Sequence, residues 1–213
     1  MVRTVLVIGV LAASACMGAD APRQLFNGKN LDGWEQIRNQ GRDVYTVEDG
    51  VLKSTGGKGM IWYAKEKIGK AKLKVVYKMS NDKGNSGVFI RIPEPPKTEG
   101  DAINKGIEVQ IDNNDNDWHS TGVLYSMTKA KARPYKPAGE WNTMEITIDG
   151  PRTIVHVNGV LVTDYDGSSP VPERVHPWEP QRGPRPDSGY IGVQGHDDRA
   201  TFYFKEISVT PLK

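Results

Sequence analysis

Two alternating runs joined by Asn-Gly, "TIVHVNGVLVTDY" at residues 153–165, constrain this chain more than any other feature. Period-two alternation sends every second side chain to one face, and Asn158-Gly159 supplies the two positive φ angles of a tight hairpin turn. "VEDGVL" (47–52) repeats the device with Asp-Gly. From Gln24 onward the chain continues as short apolar or alternating runs broken by Gly, Pro, Asn and Asp, with no long helical period and no internal repeat. Strands are expected near 44–47, 51–53, 60–63, 72–79, 86–92, 106–112, 121–126, 142–148, 153–157, 160–163, 189–194 and 201–210. So many short strands predict an all-β sandwich of two antiparallel sheets. The segment 167–188, rich in Pro, Arg and Ser, reads as a long surface loop, and such a loop in a compact domain commonly walls a site.

The chain has 213 residues, 23 of them Gly and 14 Pro, and a formal net charge of +2, which suits one turn-rich domain over 20–213. Lys and Arg are interspersed with acids, as in "KEKIGKAKLK" (65–74), so no basic stripe of a nucleic-acid binder is present. Residues 1–19, "MVRTVLVIGVLAASACMGA", carry Arg3, an apolar run from Val5 to Ala13 and then small residues, the pattern of a secretory signal peptide. The run is too short to span a bilayer. Cleavage after Ala15 leaves Cys16 first, so a lipoprotein anchored through that thiol is the alternative, although Ala13 stands where such signals usually carry Leu. The expected localisation is therefore exported: periplasmic, secreted or lipid-anchored. Cys16 is the single cysteine, so the mature domain has no internal disulfide and depends on its core.

"GIEVQID" (106–112) places Glu108, Gln110 and Asp112 on one face and Ile107, Val109 and Ile111 on the other. A solvated outer face explains such alternation in its plainest form. Together with "LFNGKNLDGWE" (25–35), "VEDGVL", "GNSGVFIRI" (84–92), "TGVLY" (121–125), "PAGEWNTMEITIDG" (137–150), "VNGVLVTDY" (157–165) and "GYIGVQGHDDRATFYFKEISV" (189–209), in that order, it resembles the 3-keto-disaccharide hydrolase family. The resemblance covers nearly the whole mature chain. It implies a concanavalin A-like jelly roll with a sugar site on the concave face, and exported bacterial proteins acting on glycosides already oxidised at C3 by a partner oxidoreductase. The family's "QDHG"-like ending is here "QGHDD" (194–198), so Gly195 stands in place of an acid.

By the resemblance, Asn85, Arg91, Glu108, Gln110 and His196 occupy positions held polar on or beside the concave face. Strand alternation adds Phe89 with Arg91, and Gln194 with His196. Glu108 and Asp112 stand roughly 13 Å apart along one strand, too far for the paired carboxyls of an ordinary glycosidase. A ketone at C3 acidifies the C2 proton and lets the C1 substituent leave by elimination, after which water can add. The expected catalytic groups are Glu108 or His196 as base and Arg91 as stabiliser of the enolate or orienter of the carboxylate, with Gln110, Asn85 and Gln194 binding hydroxyls. Trp118 is the expected stacking platform, ahead of Tyr125; Trp62 and Trp178 are further candidates, and Trp34 and Trp141 read as core. No cofactor is certain. A divalent metal at Glu108, His196 or Asp112 is one possibility, and calcium in "DNNDNDWH" (112–119) another, although that segment lacks the glycine and terminal acid of an EF-hand loop. The alternative function is a non-catalytic, lectin-like carbohydrate-binding module, which needs platforms and hydroxyl partners but no matched acid and base.

Overall fold

The computed structural model describes residues 21–196 and 198–213. Residues 1–20, with the expected signal peptide and Cys16, and Asp197 lie outside the described residues. Strands run in chain order as β1 (Arg23–Gln24), β2 (Trp34–Ile37), β3 (Tyr45–Glu48), β4 (Val51–Ser54), β5 (Gly59–Tyr63), β6 (Ala71–Met79) and β7 (Asn85–Ile92). A helix, α1 (Glu99–Lys105), precedes β8 (Ile107–Asp112), β9 (Asn142–Asp149), β10 (Arg152–Val157), β11 (Val160–Tyr165), β12 (Tyr190–Gly195) and β13 (Phe202–Pro211). One sheet has eight strands in the order β11-β10-β9-β6-β13-β4-β3, with β1 added against β13. The other has five, β2-β5-β12-β7-β8, and every pairing is antiparallel. This is the expected jelly-roll sandwich.

Both predicted hairpins form: Asp49-Gly50 turns at φ 50° and 78° between β3 and β4, and Asn158-Gly159 at φ 50° and 81° between β10 and β11. The main core lies between the sheets, where Leu73, Val75, Met144 and Ile146 of the larger sheet meet Ile61, Val88, Ile90, Val109, Ile111, Ile191 and Val193 of the smaller. Each such side chain contributes about 1.5–3 kcal/mol by leaving water.

The smaller sheet is also covered on its outer face. Met60, Trp62, Phe89 and Ile92 form a second apolar cluster there with Ala102 of α1. That helix is absent from the sequence reading because it is short and has one buried face only. Its start is nonetheless marked: Thr98 accepts from Asp101 N, and the Asp101 carboxylate accepts from Thr98 N in return, a capping box.

The expected strand 121–126 is not one. Its backbone follows the free edge of β8 through Gly122 N to Gln110 O (2.8 Å), Gln110 N to Val123 O (3.0 Å) and Tyr125 N to Glu108 O (3.0 Å). Positive φ at Gly122 (91°) and Ser126 (57°) breaks it into turns, so it covers the edge without extending the sheet.

Candidate functional site

Three adjacent strands, β12, β7 and β8, carry polar side chains on the outer face of the smaller sheet. The inward set of β8 enters the main core, so Glu108 and Gln110 point outward, yet they are only 5% and 1% exposed. The solvated-face explanation therefore fails. Gln194 on β12 is 2% exposed, and with Asn85, Glu108, Gln110 and His196 it lines a hollow of about 260 Å³. Lys58 from the β4–β5 loop, Glu99 and Ile103 from α1, Tyr125 from the edge segment and Trp178 from the long loop complete the lining.

Local sequence explains how each group arrives. Glu108 lies over Gly87 of the neighbouring strand, where a Cβ would come within 2.6 Å of Glu108 Cγ and 2.9 Å of Cδ. The glycine of "GNSGVF" is the space that the carboxyl fills. The partners of Gln110 set its amide nitrogen toward Glu108 Oε1 (3.1 Å) and the Ser86 carbonyl (3.1 Å). The Gln194 carbonyl accepts from Tyr45 Oη (2.6 Å) and Ser86 Oγ (2.8 Å), fixing β12 at the site, while Gln194 Oε1 is buried with no partner among the described residues. Glu99 and Ile103 stand one turn apart, so α1 presents both to the hollow.

Two carboxyls thus share this hollow, and burial acts on both. It raises Glu108 to about 8, and the charge of Glu99 adds to the shift. It raises Glu99 to about 7, opposed by a hydrogen bond from Gln194 and by the charge of Lys58. Tyr125 is pushed to about 12, first by burial and then by the charges of Glu108, Asp115 and Glu179. The two carboxyls interact, so their titration belongs to the pair.

Arg91 is a correction. Its backbone sits at φ 58°, and register slips across it: Gly192 faces Phe89, but Tyr190 faces Ile92. The extra residue is a β-bulge, which hands the outer position to Ile92 and turns Arg91 aside. Its guanidinium donates to the carbonyls of Pro186 (2.8 Å), Gly150 (2.8 Å) and Arg152 (3.0 Å) and to Thr153 Oγ1 (3.2 Å). It therefore anchors the long loop and touches neither Glu108 nor the hollow. Arg182 and Arg185 act alike, the first on Pro172 O (2.7 Å), Pro180 O (2.7 Å) and Ser126 O (3.2 Å), the second on Gly106 O (2.7 Å) and Asn104 O (3.1 Å). Three arginines hold the loop as a wall, with Trp178 at the mouth.

Trp118 is displaced too. It lines a second hollow beside the first, and Trp178, 61% exposed and stacked on His176 at 4.4 Å, is the tryptophan of the first. Of the proposed metal ligands, Glu108 and His196 share the first hollow and Asp112 does not; it lines a separate surface hollow and caps Asn114 N (2.8 Å). Asp117, of the calcium segment, is paired with Arg133 (2.9 Å). No three His, Cys, Asp or Glu side chains among the described residues gather to hold a metal. Gly195 faces away from the hollow, where a Cβ would meet Gly57 O at 3.1 Å, so an acid at this position would not join the carboxyl pair.

Residues 21–210 match the 3-keto-alpha-glucoside-1,2-lyase-like domain. The chain belongs to that family. A protein from Parabacteroides distasonis ATCC 8503, provisionally named a glycosyl hydrolase, is 27% identical with a TM-score of 0.73, over 91% of this chain and 100% of that one. The carbohydrate-binding module CBM66 from Bacillus subtilis has a TM-score of 0.55 at 15% identity, over 84% of this chain and 95% of that one. A Bacillus subtilis protein with a galectin-like fold has 0.57 at 12%, over 91% and 97%. These last two share the fold alone. No curated protein sequence matches the chain. The lyase-like family and its solved neighbour make this a glycosyl hydrolase-like domain, and Glu99, Lys58 and Ile103 line its first hollow from elements that strand alternation could not find.

Proposed function

We propose that the first hollow binds the oxidised ring of a 3-keto-glycoside and expels the C1 substituent by elimination across C1–C2. The observation that carries this reading is a buried carboxyl, Glu108, and a half-buried one, Glu99, with values of about 8 and about 7, in one hollow. Near neutral pH such a pair holds about one proton, so one member acts as base while the other acts as acid. Glu99, the lower and the nearer to Lys58 in charge, takes the C2 proton. The C2–H electron pair becomes the C1=C2 bond, conjugated with the ketone, and the C1–O pair departs on the leaving oxygen, which receives the proton of Glu108.

Charge gathers on the C3 oxygen during this step and needs donors. Lys58 and His196, both lining the hollow, take the role first given to Arg91. Asn85, Gln110 and the unpartnered Gln194 Oε1 suit ring hydroxyls. The volume matches one sugar ring better than a polymer. The signal-peptide pattern of residues 1–19 supports action outside the cytoplasm, and the substrate's ketone requires a separate oxidation. A binding module would have no use for two carboxyls whose burial opposes their ionisation.

The test is release of aglycone from a 3-keto-glucoside and from its unoxidised parent, with C2–H exchange followed in D₂O. Release from the ketone alone, with exchange, is expected, and Glu108→Gln should lower kcat by about 10²–10⁴-fold. Binding of both sugars without release or exchange would sink the reading in favour of the module.

A further inference from the structure

The second hollow, of about 320 Å³, lies one side-chain layer from the first. Tyr125 lines the first hollow and its neighbour Ser126 the second, and the Tyr125 ring packs on His119 of the second at 4.8 Å between centroids. The long loop runs along both, giving Trp178 to the first and Pro172 and Val175 to the second. Trp118 forms the aromatic surface of the second hollow; Trp118 and Val175 are 38% and 76% exposed.

The polar groups of the second hollow are largely satisfied already. His119 Nε2 meets Ser126 Oγ at 2.9 Å, His119 Nδ1 meets Asn116 Nδ2 at 3.0 Å, and Asn116 Oδ1 accepts from Trp118 N at 2.8 Å. Every guanidinium nitrogen of Arg182 donates to a carbonyl or to the buried Glu179. Glu173 is exposed at the rim. The first hollow, by contrast, holds the unpartnered Gln194 Oε1. A hydroxyl-rich second sugar would lose its water here and find few free partners, whereas a flat apolar ring loses little and stacks.

We infer that the second hollow receives the leaving group and that this group is aromatic, making the substrate class 3-keto aryl glycosides. The inference rests on the elimination reading above. The chemistry agrees with the placement. Tyr125 N donates to the Glu108 carbonyl (3.0 Å), both side chains line the first hollow, and the Tyr125 ring packs on His119 of the second, so the proposed acid stands at the wall between the hollows. A phenol, with a pKa near 10, is a far better leaving group than a sugar alcohol. In the step, C2–H and C1–O break, C1=C2 forms, the phenolic oxygen leaves with the C1–O pair and takes the Glu108 proton, and nothing is oxidised or reduced.

The experiment compares phenyl and methyl 3-keto-glucosides with wild-type protein, Trp118→Ala and Trp118→Phe. We expect the ratio of kcat/KM for phenyl over methyl to fall about tenfold in Trp118→Ala and to recover in Trp118→Phe. An equal loss on both substrates, or an unchanged ratio, overturns the inference. Free phenol is titrated in parallel, with the Trp118 indole and His119 imidazole signals followed by NMR. If neither substrate reacts, the elimination reading fails; phenol that leaves those signals unmoved removes the second hollow as an aromatic subsite whatever the turnover.

Discussion

The two faces of β7 and β8 share one backbone and bury opposite things. Inward, Val88, Ile90, Val109 and Ile111 are at most 1% exposed, and their burial stabilises the sandwich. Outward, Glu108 and Gln110 are almost as deeply buried, but there burial holds a carboxyl in the protonated form and works against folding once it ionises. The inner face can be read as stability alone. The outer face accepts a buried acid, and the arrangement around it, with Gly87 beneath, Gln110 beside and Glu99 facing, serves that acid.

The sharpest way to break this contrast is a methyl group on each side. Gly87→Ala puts a Cβ within 2.6 Å of Glu108 Cγ, so the carboxyl must move. Displacement by about 1 Å from its working position is expected to cost about 10²-fold in kcat on a 3-keto-glucoside. Val109→Ala, removing two methyls from the inner face, is expected to cost roughly 1.5–3 kcal/mol in stability while leaving the carboxyl pair in place. Steady-state kinetics beside thermal unfolding check both. If Gly87→Ala keeps full kcat, Glu108 does not act in the chemistry.

How much of this was legible depended on whether a residue obeys strand period. Glu108, Gln110 and Gln194 do: alternation set Glu108 beside Gln110 and Gln194 beside His196, and the family resemblance put the strands' polar sets on one face. Arg91 does not, because a left-handed backbone angle at a non-glycine residue carries no sequence signature, and the bulge it creates reverses the face. Glu99 lies in "KTEGDAINKG", a helix too short for an apolar period. Its capping residues Thr98 and Asp101 were the available signal, but the direction in which such a helix lies depends on the apolar cluster beneath it, which comes from distant strands. Trp118 and Trp178 were both visible as aromatic candidates. Which hollow each serves is set by loop paths fixed by three arginines, and no local pattern encodes those paths.

The arginine frame gives the second prediction. Arg91→Lys keeps the charge but loses the planar fork that reaches Pro186, Gly150 and Arg152 together. The loop wall should loosen at Pro186, so KM is expected to rise about tenfold with kcat changed less, and Tm to fall by roughly 2–4 °C per kcal/mol lost. A fall in kcat as deep as that of Glu108→Gln, with Tm unchanged, would return Arg91 to the chemistry and undo the correction drawn from the bulge.

The smallest effect tests the energetic half of the contrast. Glu108 has a folded pKa of about 8, above its ordinary range, so the folded state keeps a proton that the unfolded chain releases. The stability associated with that proton is fully present below the unfolded value and is lost as pH rises through about 8. Glu108→Gln removes the titration and keeps the shape. The variant should therefore gain on the wild type as pH rises, by at least about 1 kcal/mol at pH 9, or about 2–4 °C in Tm, with the gain shrinking toward pH 5. A difference between the two proteins that stays constant from pH 5 to 9 would mean that the outer face bears no ionisation cost. The proposed division between a face built for stability and a face held against it would then collapse, because Glu108 would be as neutral a resident of the sheet as Val109.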